Sequence, residues 1–189
     1  MFDLYSAVHE FHRVYRVPIG AQPAIDVDQL DLRDRLLCEE LEELVAAEAL
    51  GDVIETVDAL ADILYILTGT AIVHGLPLPA TDAADLACRG ACKVGTDAIA
   101  DLVDLVDLAC RSGDTGAATE RIAELDAVVR TRCARERIPI DAVLAEVHAS
   151  NLSKLDADGQ PLYRHDGKVA KGPRFWAPNI AAVLADHAY

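Results

Sequence analysis

The sequence has few aromatic and few basic residues. Phe, Trp and Tyr make up 5% of its 189 residues. It contains 17 Lys and Arg against 32 Asp and Glu, which gives a formal net charge of −15 at pH 7. A protein that binds double-stranded nucleic acid needs a basic face, so this balance predicts no nucleic-acid partner. With 52% hydrophobic residues and only 11 Gly and 8 Pro, the composition favours a folded, helical chain over a disordered one.

Long hydrophobic runs and paired cysteines are also missing. The longest uncharged apolar run in the central region, residues 63–73, is well short of the roughly 20 residues that a membrane span needs. Asp3 and His9 stand where a signal peptide would have basic and then apolar residues. The five cysteines form no CxxC pair, and their spacing offers too few soft ligands for zinc. We therefore expect a cytoplasmic protein with reduced cysteines and no membrane partner.

The apolar residues recur at helical spacing along most of the chain. We predict helices at residues 3–15, 29–49, 53–74, 82–111 (interrupted near Gly90 or Gly95), 116–136 and 142–152. Gly51 is expected to end the second helix and Asp52 to cap the third, while Thr81 and Asp141 cap later helices. Because the connections are short, neighbouring helices should pack antiparallel. The predicted fold class is all-α, an antiparallel helical bundle.

Acidic residues interrupt the apolar faces of the second and third predicted helices. Residues 39–43 read Glu-Glu-Leu-Glu-Glu, and residues three or four apart share a helix face. Glu55, Asp58 and Asp62 follow the same spacing on the next helix, and Asp62 interrupts the otherwise apolar residues 59–67. Because an unpaired buried carboxylate is costly, Asp62 should have a cationic partner or a metal ion.

A short turn between these two helices would bring their acidic groups to face each other. The groups are Glu39, Glu40 and Glu43 on one helix and Asp58 and Asp62 on the other. Several carboxylate oxygens in one groove are the ligands that hard cations prefer. The pattern therefore predicts a site for Mg²⁺ or Mn²⁺.

These residues carry a resemblance to a known family. The pattern EExxE on one helix and ExxD on the next, with a run such as LLY after it, is similar to the all-α nucleoside triphosphate pyrophosphohydrolases. That superfamily includes MazG, dimeric dUTPase and phosphoribosyl-ATP pyrophosphohydrolase. Residues 39–43 match the first motif and residues 59–65 align with the second. Further segments that resemble MazG-like proteins are Phe-His-Arg at 11–13, Glu-Val-His-x-x-Asn-x-Ser-Lys at 146–154 and Asp-Gly-Lys-x-x-Lys-Gly-Pro at 166–173. The resemblance covers residues 8–76 and 138–180.

Two features depart from the family pattern. Ala59 stands where ExxD has its glutamate, and either Asp58 or Glu55 can replace that glutamate as a ligand. Residues from about 80 to 135 form an insertion between the core helices. We expect this insertion to be a helical hairpin that either completes the bundle within one chain or builds an oligomer interface.

The last part of the sequence differs from the rest in composition and in its pattern of turn residues. Asp-Gly turn signals lie on both sides of a short alternating segment at residues 161–169. Residues 154–174 hold five Lys and Arg against three Asp, in a chain that is otherwise strongly acidic. We expect residues 154–189 to be a basic, irregular tail that packs on the MazG-like domain of residues 1–153. Its turn-rich part should order when nucleotide binds.

The resemblance implies a reaction and assigns roles. The carboxylates would bind Mg²⁺ (or Mn²⁺), the metal ions would hold a nucleoside triphosphate, and water would attack the α-phosphorus to release a nucleoside monophosphate and pyrophosphate. Glu39 or Glu40 can then act as the general base, and Lys154 as a catalytic cation on the phosphates. The residues expected to bind the substrate are Asn151, Lys154, Lys168 and Lys171, the last two as a lid.

Alternative functions stay open on the sequence alone. The leading hypothesis is a nucleotide pyrophosphohydrolase for pool control, with a phage enzyme that acts on a guanine nucleotide as one subclass. A non-catalytic helical interaction module that lost metal binding through Ala59 is the first alternative. A phosphoribosyl-ATP pyrophosphohydrolase is the second. Surplus apolar surface and the family's tendency to build sites at subunit contacts predict a homodimer or homotetramer.

Overall fold

The chain is all-α in the residues that the structure, a computed structural model, describes, which are 2–78 and 94–187. The helices are α1 (Leu4–Val14), α2 (Leu30–Leu50), α3 (Val53–Val73), α4 (Thr96–Arg111), α5 (Thr115–Arg135), α6 (Ile140–Leu152) and α7 (Ile180–Asp186). A 3₁₀ turn at Val27–Gln29 precedes α2. In the alternating tail segment, Tyr163 and Val169 form an isolated antiparallel bridge.

The turn between α2 and α3 follows the prediction. Gly51 adopts the left-handed conformation, with φ of 68°, and ends α2. The Asp52 carboxylate accepts hydrogen bonds from the backbone N–H groups of Ile54 and Glu55, each 3.1 Å long, and so caps α3. Because only these two residues separate the helices, α2 and α3 run antiparallel and their acidic motifs lie at matching levels.

One predicted helix start differs from the structure, and another lies outside the described residues. Asp141 is not a cap, because the helix already begins at Ile140, after Pro139, and Asp141 lies in its first turn. Proline sets its own φ near the helical value, so Pro139 can lead directly into a helix. The predicted helix at 82–111 is seen from Thr96 onward, after Gly95. Its earlier part, with the Thr81 cap, lies outside the described residues.

Helix α3 forms the centre of the bundle. It packs against α2, α1, α5 and α6, and most of its residues are buried. By length and composition alone it is apolar enough to cross a membrane, but 83% of the window that meets this test is buried inside the protein. Its position in the core therefore accounts for its apolar composition.

The described part of the insertion completes the bundle within the chain. Helices α4 and α5 pack on each other, α4 also packs on α2, and α5 packs on α3. The buried side chain of Arg132 on α5 joins these elements, because it forms an ion pair with Glu48 of α2 and donates a 3.1 Å hydrogen bond to Thr96 of α4. In the described residues the insertion thus packs on the core helices of its own chain, as the first of the two alternatives expects.

The tail is docked on the helices. The Tyr163 hydroxyl donates a 2.8 Å hydrogen bond to the carbonyl of Tyr15, and the Gly172 N–H donates a 2.9 Å bond to the carbonyl of Lys154. A Cβ atom on Gly172 would overlap the backbone of Leu155, so only glycine allows this close approach. Beyond it, α7, which the sequence analysis missed, packs on α6 and α3. These contacts hold the tail against the helical domain.

Candidate functional site

One cleft joins the motifs that the sequence singled out. It lies between α1, α2, α3 and α6, with the tail residues 167–169 on one wall, and it measures about 710 Å³ when the open space at its mouth is counted. One end contains Glu40, Asp62, Lys154 and Lys168, and mostly apolar side chains of α1, α2 and α3 line the rest. A deep, largely apolar cleft with a few converging polar groups is the usual form of a small-molecule site.

The carboxylates at this end repel one another. Glu40 is only 7% exposed, and burial raises its pKa, with Asp62 and Glu43 adding to the rise. Burial likewise raises the pKa of Asp58 to about 7, with contributions from Asp62 and Glu55. Burial also raises the pKa of Asp62, and the charge of the neighbouring Lys154 opposes that rise. Perturbed carboxylates that gather in a cleft are typical of functional sites.

Lysines from the tail and from the end of α6 face these carboxylates. Lys168 forms an ion pair with Glu39. Lys154 is largely buried, and burial lowers the pKa of its ammonium group while the charge of Asp62 opposes that shift. Lys171 lies over the ring of Phe175, with Nζ 4.5 Å from the ring centroid. Residues far apart in the sequence thus come together as one cluster of mixed charge.

The other predicted site residues lie around this cluster and differ in how far their side chains are exposed. Asn151 is 9% exposed and lines the cleft. Glu43 is exposed at its edge. Of the two candidates for the missing family glutamate, Glu55 is exposed and Asp58 is partly buried. The Asp58 Oδ1 atom is buried without a hydrogen-bond partner among the described residues, and a ligand can satisfy such an atom.

The carboxylate groups of the cleft are of the right chemical type to bind a hard cation, but their side chains are not arranged around a single ion. Carboxylate oxygens are suitable ligands for Mg²⁺ or Mn²⁺, and the unpartnered Asp58 oxygen is one of them. Within residues 2–78 and 94–187, however, no three carboxylate, imidazole or thiol groups are arranged to hold one ion. Metal binding would therefore require the carboxylate side chains to rotate, and Glu39 could act as a ligand only after releasing Lys168.

Sequence analysis missed a polar group at the other end of the cleft. Arg33 on α2 is 8% exposed, donates a 3.0 Å hydrogen bond from Nε to Thr70 Oγ1, and donates from Nη2 to the carbonyl of Ile66. The signal was present, because Arg33 lies three residues after Leu30 and four before Leu37, on the apolar face of the helix. His12, buried at 2% exposure, also lines this end.

His12 should make the stability of the protein depend on pH. Burial lowers its pKa from 6.5 to about 4. Between these values the unfolded chain binds a proton that the folded chain does not, so the free energy of unfolding falls as the pH falls from 6.5 towards 4. The contribution of one residue with this shift is at most about 3 kcal/mol.

Urea denaturation at several pH values between 7.5 and 4.5 measures this effect. We expect His12→Asn to lose less stability on acidification than the unmodified protein, because the amide can still donate to the Pro18 carbonyl, which lies 2.9 Å from His12 Nδ1. His9→Asn, on the same helix, is the matched control. Equal slopes for His12→Asn and the unmodified protein would contradict the prediction.

A comparison with known families found one match, which covers the region of the first three helices. Residues 8–83 match the family model of phosphoribosyl-ATP pyrophosphohydrolase. The matched segment contains residues 8–14 of α1 and the whole of α2 and α3, and therefore both acidic motifs and Arg33. Lys154 and the tail lysines lie outside it. Comparisons with curated proteins and with solved structures gave no significant match.

Proposed function

We propose that this protein is a metal-dependent nucleoside triphosphate pyrophosphohydrolase. Residues 8–83 match a family model from the MazG-like nucleoside triphosphate pyrophosphohydrolase superfamily, whose members cleave phosphoric anhydrides. Its products would be a nucleoside monophosphate and pyrophosphate. One observation carries the proposal: buried carboxylates of α2 and α3 face Lys154 and Lys168 at one end of a nucleotide-sized cleft. An anionic chain of phosphates needs such cations in a protein that is otherwise acidic.

The carboxylates would hold the metal ion. Glu40, Glu43, Asp58 and Asp62 are the candidate ligands, with Glu39 as a fifth once it leaves Lys168. Asp58 is a better replacement for the family glutamate than Glu55, because its Oδ1 is buried and unpartnered among the described residues. When bound, Mg²⁺ or Mn²⁺ would neutralise phosphate charge and lower the pKa of a bound water.

The protein's own side chains would supply the remaining functions. The raised pKa of Glu40 brings this carboxylate towards the range in which a general base works near neutral pH. Glu39, which is paired with Lys168, is the second candidate for that role. Lys154 would bind the phosphates, and Asn151 lies one turn before it on the same wall of the cleft.

A substrate screen tests the proposal. The common ribo- and deoxyribonucleoside triphosphates are incubated with the protein and Mg²⁺, Mn²⁺ or a chelator, and released pyrophosphate is measured. We expect pyrophosphate with at least one triphosphate, and none when the metal is removed. Failure of every substrate to react would favour the non-catalytic interaction module.

Phosphoribosyl-ATP is the second candidate substrate, because the matching family model is that of phosphoribosyl-ATP pyrophosphohydrolase. It carries the same triphosphate, so the carboxylates and Lys154 would act on it in the same way. The screen should include it, and a higher kcat/KM for phosphoribosyl-ATP than for every simple triphosphate would make it the substrate.

The tail lysines should affect substrate binding more than turnover. Lys168 and Lys171 lie on the tail. If they act as a cover over the phosphates, their charges stabilise the bound substrate and the transition state equally, so their loss changes KM and not kcat. We expect the double variant Lys168→Gln, Lys171→Gln to raise KM about tenfold and to change kcat less than threefold. These point variants are preferable to truncation, which would also remove the buried Ile180 and Leu184 of α7.

Steady-state kinetics of this double variant provide the test. Arg174→Gln, an exposed basic residue of the same tail, is the control for a general loss of positive charge. An unchanged KM in the double variant would exclude the proposed role of these lysines.

We also propose a cytoplasmic homo-oligomer, a dimer or tetramer. Exposed apolar side chains gather at the end of the α2–α3 pair, with Leu50 83% and Ile54 42% exposed. Cys38, Cys110 and Cys133 are free thiols, as a reducing compartment requires. Sedimentation velocity at micromolar concentration should give a dimer or larger, and Leu50→Glu together with Ile54→Glu should weaken it. A monomeric unmodified protein would refute the expectation.

A further inference from the structure

We propose that Tyr65 is a positioning residue, which fixes the side-chain amide of Asn151 for a phosphate group of the substrate. His148 and Glu10 act through Tyr65, as the outer members of one hydrogen-bonded chain. The inference rests on the proposed function, because Asn151 and Tyr65 line the same cleft as the carboxylates and Lys154. It gives roles to three side chains for which the family resemblance implied none.

A chain of hydrogen bonds runs from the protein surface to the cleft. The carboxylate of Glu10 on α1 lies 3.3 Å from Nε2 of His148 on α6, and Nδ1 of His148 lies 2.9 Å from the hydroxyl oxygen of Tyr65 on α3. The Glu10 side chain is 59% exposed and that of His148 is 11% exposed, whereas Tyr65 is buried. The chain therefore joins three helices and ends inside the cleft.

The carboxylate at the outer end determines the direction of each hydrogen bond. A carboxylate only accepts, so His148 Nε2 carries the proton that points to Glu10. In the neutral imidazole Nδ1 is then the acceptor, and the hydroxyl of Tyr65 donates to it. The oxygen of Tyr65 therefore meets its next neighbour as an acceptor.

The side-chain amide of Asn151 is this next neighbour. Burial raises the pKa of Tyr65, and a hydrogen bond with the Asn151 side chain opposes the rise. A group that donates to the phenol oxygen lowers its pKa, so the amide nitrogen, and not the amide oxygen, faces Tyr65. This orientation agrees with the direction of the chain, because both require Asn151 to donate.

The Asn151 amide keeps a second N–H for a ligand. In the part of the chain that the structure describes, no other partner of this side chain is seen. Lys154 lies three residues later, and its N–H donates a 3.3 Å hydrogen bond to the Asn151 carbonyl, so the amide and the ammonium group can meet one phosphate group. An amide free to turn could place its oxygen against the phosphate, and two acceptors repel each other.

The backbone of Asn151 is fixed as well. The hydroxyl of Tyr15 lies 2.9 Å from the carbonyl oxygen of Asn151 and 3.0 Å from that of Leu152, which are among the last carbonyls of α6 and have no partner within the helix. The ring of Phe11 packs between the two tyrosines, with centroids 4.4 Å from Tyr15 and 5.9 Å from Tyr65. A binding group that the protein already holds in place costs less entropy when the ligand binds.

A double-mutant cycle tests whether Tyr65 acts through Asn151. Tyr65→Phe removes the hydroxyl and keeps the ring, and Asn151→Ala removes the amide. For the best triphosphate we expect KM to rise about tenfold in Asn151→Ala and about fivefold in Tyr65→Phe, because hydrogen bonds to charged groups are strong. The double variant should match Asn151→Ala within about twofold, since no amide remains to be positioned. A KM that rises by the product of the two single effects would overturn the inference.

Tyr5→Phe is the matched control for the loss of a tyrosine hydroxyl. Tyr5 is 45% exposed on α1 and does not line the cleft, so we expect no change in KM. Urea denaturation of each variant measures the effect on stability separately. A Tyr65→Phe variant that loses stability but keeps its KM would assign the hydroxyl a structural role alone and overturn the inference.

Nuclear magnetic resonance separates this inference from the proposed function, because it needs no turnover. In the unmodified protein, the ¹⁵N signals of the His148 ring should show a proton on Nε2 and none on Nδ1. The side-chain amide signal of Asn151, identified by its loss in Asn151→Ala, should move in Tyr65→Phe and stay in Tyr5→Phe. It should also move when pyrophosphate and Mg²⁺ are added to the unmodified protein.

These signals decide the inference even if the proposed function fails. If no triphosphate is hydrolysed, the proposed function is wrong, while the expected signals would still support the positioning of Asn151 for a phosphate group. A proton on His148 Nδ1 would contradict the direction of the chain. An Asn151 signal that responds neither to Tyr65→Phe nor to pyrophosphate would overturn the inference as well.

Discussion

Asp62→Asn is expected to reduce turnover at least about a thousandfold while the helical content stays unchanged. Asp62 is the charged group of α3 that lines the cleft, and it lies close to Glu40, Glu43 and Lys154. Asparagine keeps the shape but removes the charge, so both a metal ion and the buried ammonium of Lys154 would lose their shared counter-charge.

Three measurements establish this result. They are pyrophosphate release under saturating Mg²⁺, far-ultraviolet circular dichroism and the affinity for Mn²⁺ by calorimetry. Asp101→Asn, an exposed acidic residue of α4, is the control for the loss of one negative charge. Full turnover in Asp62→Asn would contradict the assignment of the acidic cluster as the reaction centre.

Lys154→Ala is expected to lower kcat at least tenfold, which corresponds to about 1.4 kcal/mol of transition-state stabilisation. Lys154 lies two residues after the end of α6, and its carbonyl accepts a hydrogen bond from the Gly172 N–H. Its ammonium group lies among the carboxylates, largely buried and near Asp62. A charge fixed at this point can stabilise negative charge that develops on the phosphates during the reaction.

The contrast between Lys154 and the tail lysines provides the control. Removal of Lys154 should change kcat, whereas removal of Lys168 and Lys171 should change KM. Lys154→Arg keeps the charge and is expected to recover part of the rate. A Lys154→Ala variant with unchanged kcat and raised KM would assign Lys154 to ground-state binding alone.

The sequence was most informative where short-range signals determine structure. The C-cap at Gly51 and the N-cap at Asp52 set the turn between α2 and α3, and that turn aligns the two acidic motifs. The helical spacing of Glu40, Asp58 and Asp62 was enough to predict that these side chains meet. Such features depend on a few neighbouring residues, so sequence reasoning reaches them.

Contacts between distant segments were beyond sequence reasoning. Lys168 and Glu39 are separated by 129 residues, and their ion pair depends on how the tail docks. Arg33 was overlooked although its spacing places it on the apolar face of α2, because a single arginine near a helix start usually faces water. Its hydrogen-bond partners, Thr70 and Ile66 of α3, lie more than 30 residues away in the sequence. The seven-residue helix α7 is too short to show a convincing period and is stabilised by its contacts with α3 and α6.

The position of bond cleavage tests the central claim most directly. Hydrolysis of the best triphosphate is run with Mg²⁺ in water enriched in ¹⁸O, and the products are analysed by mass spectrometry. We predict a nucleoside monophosphate that carries one ¹⁸O atom and an unlabelled pyrophosphate, because water attacks the α-phosphorus. Label in the pyrophosphate, or release of inorganic phosphate and a nucleoside diphosphate, would contradict the account.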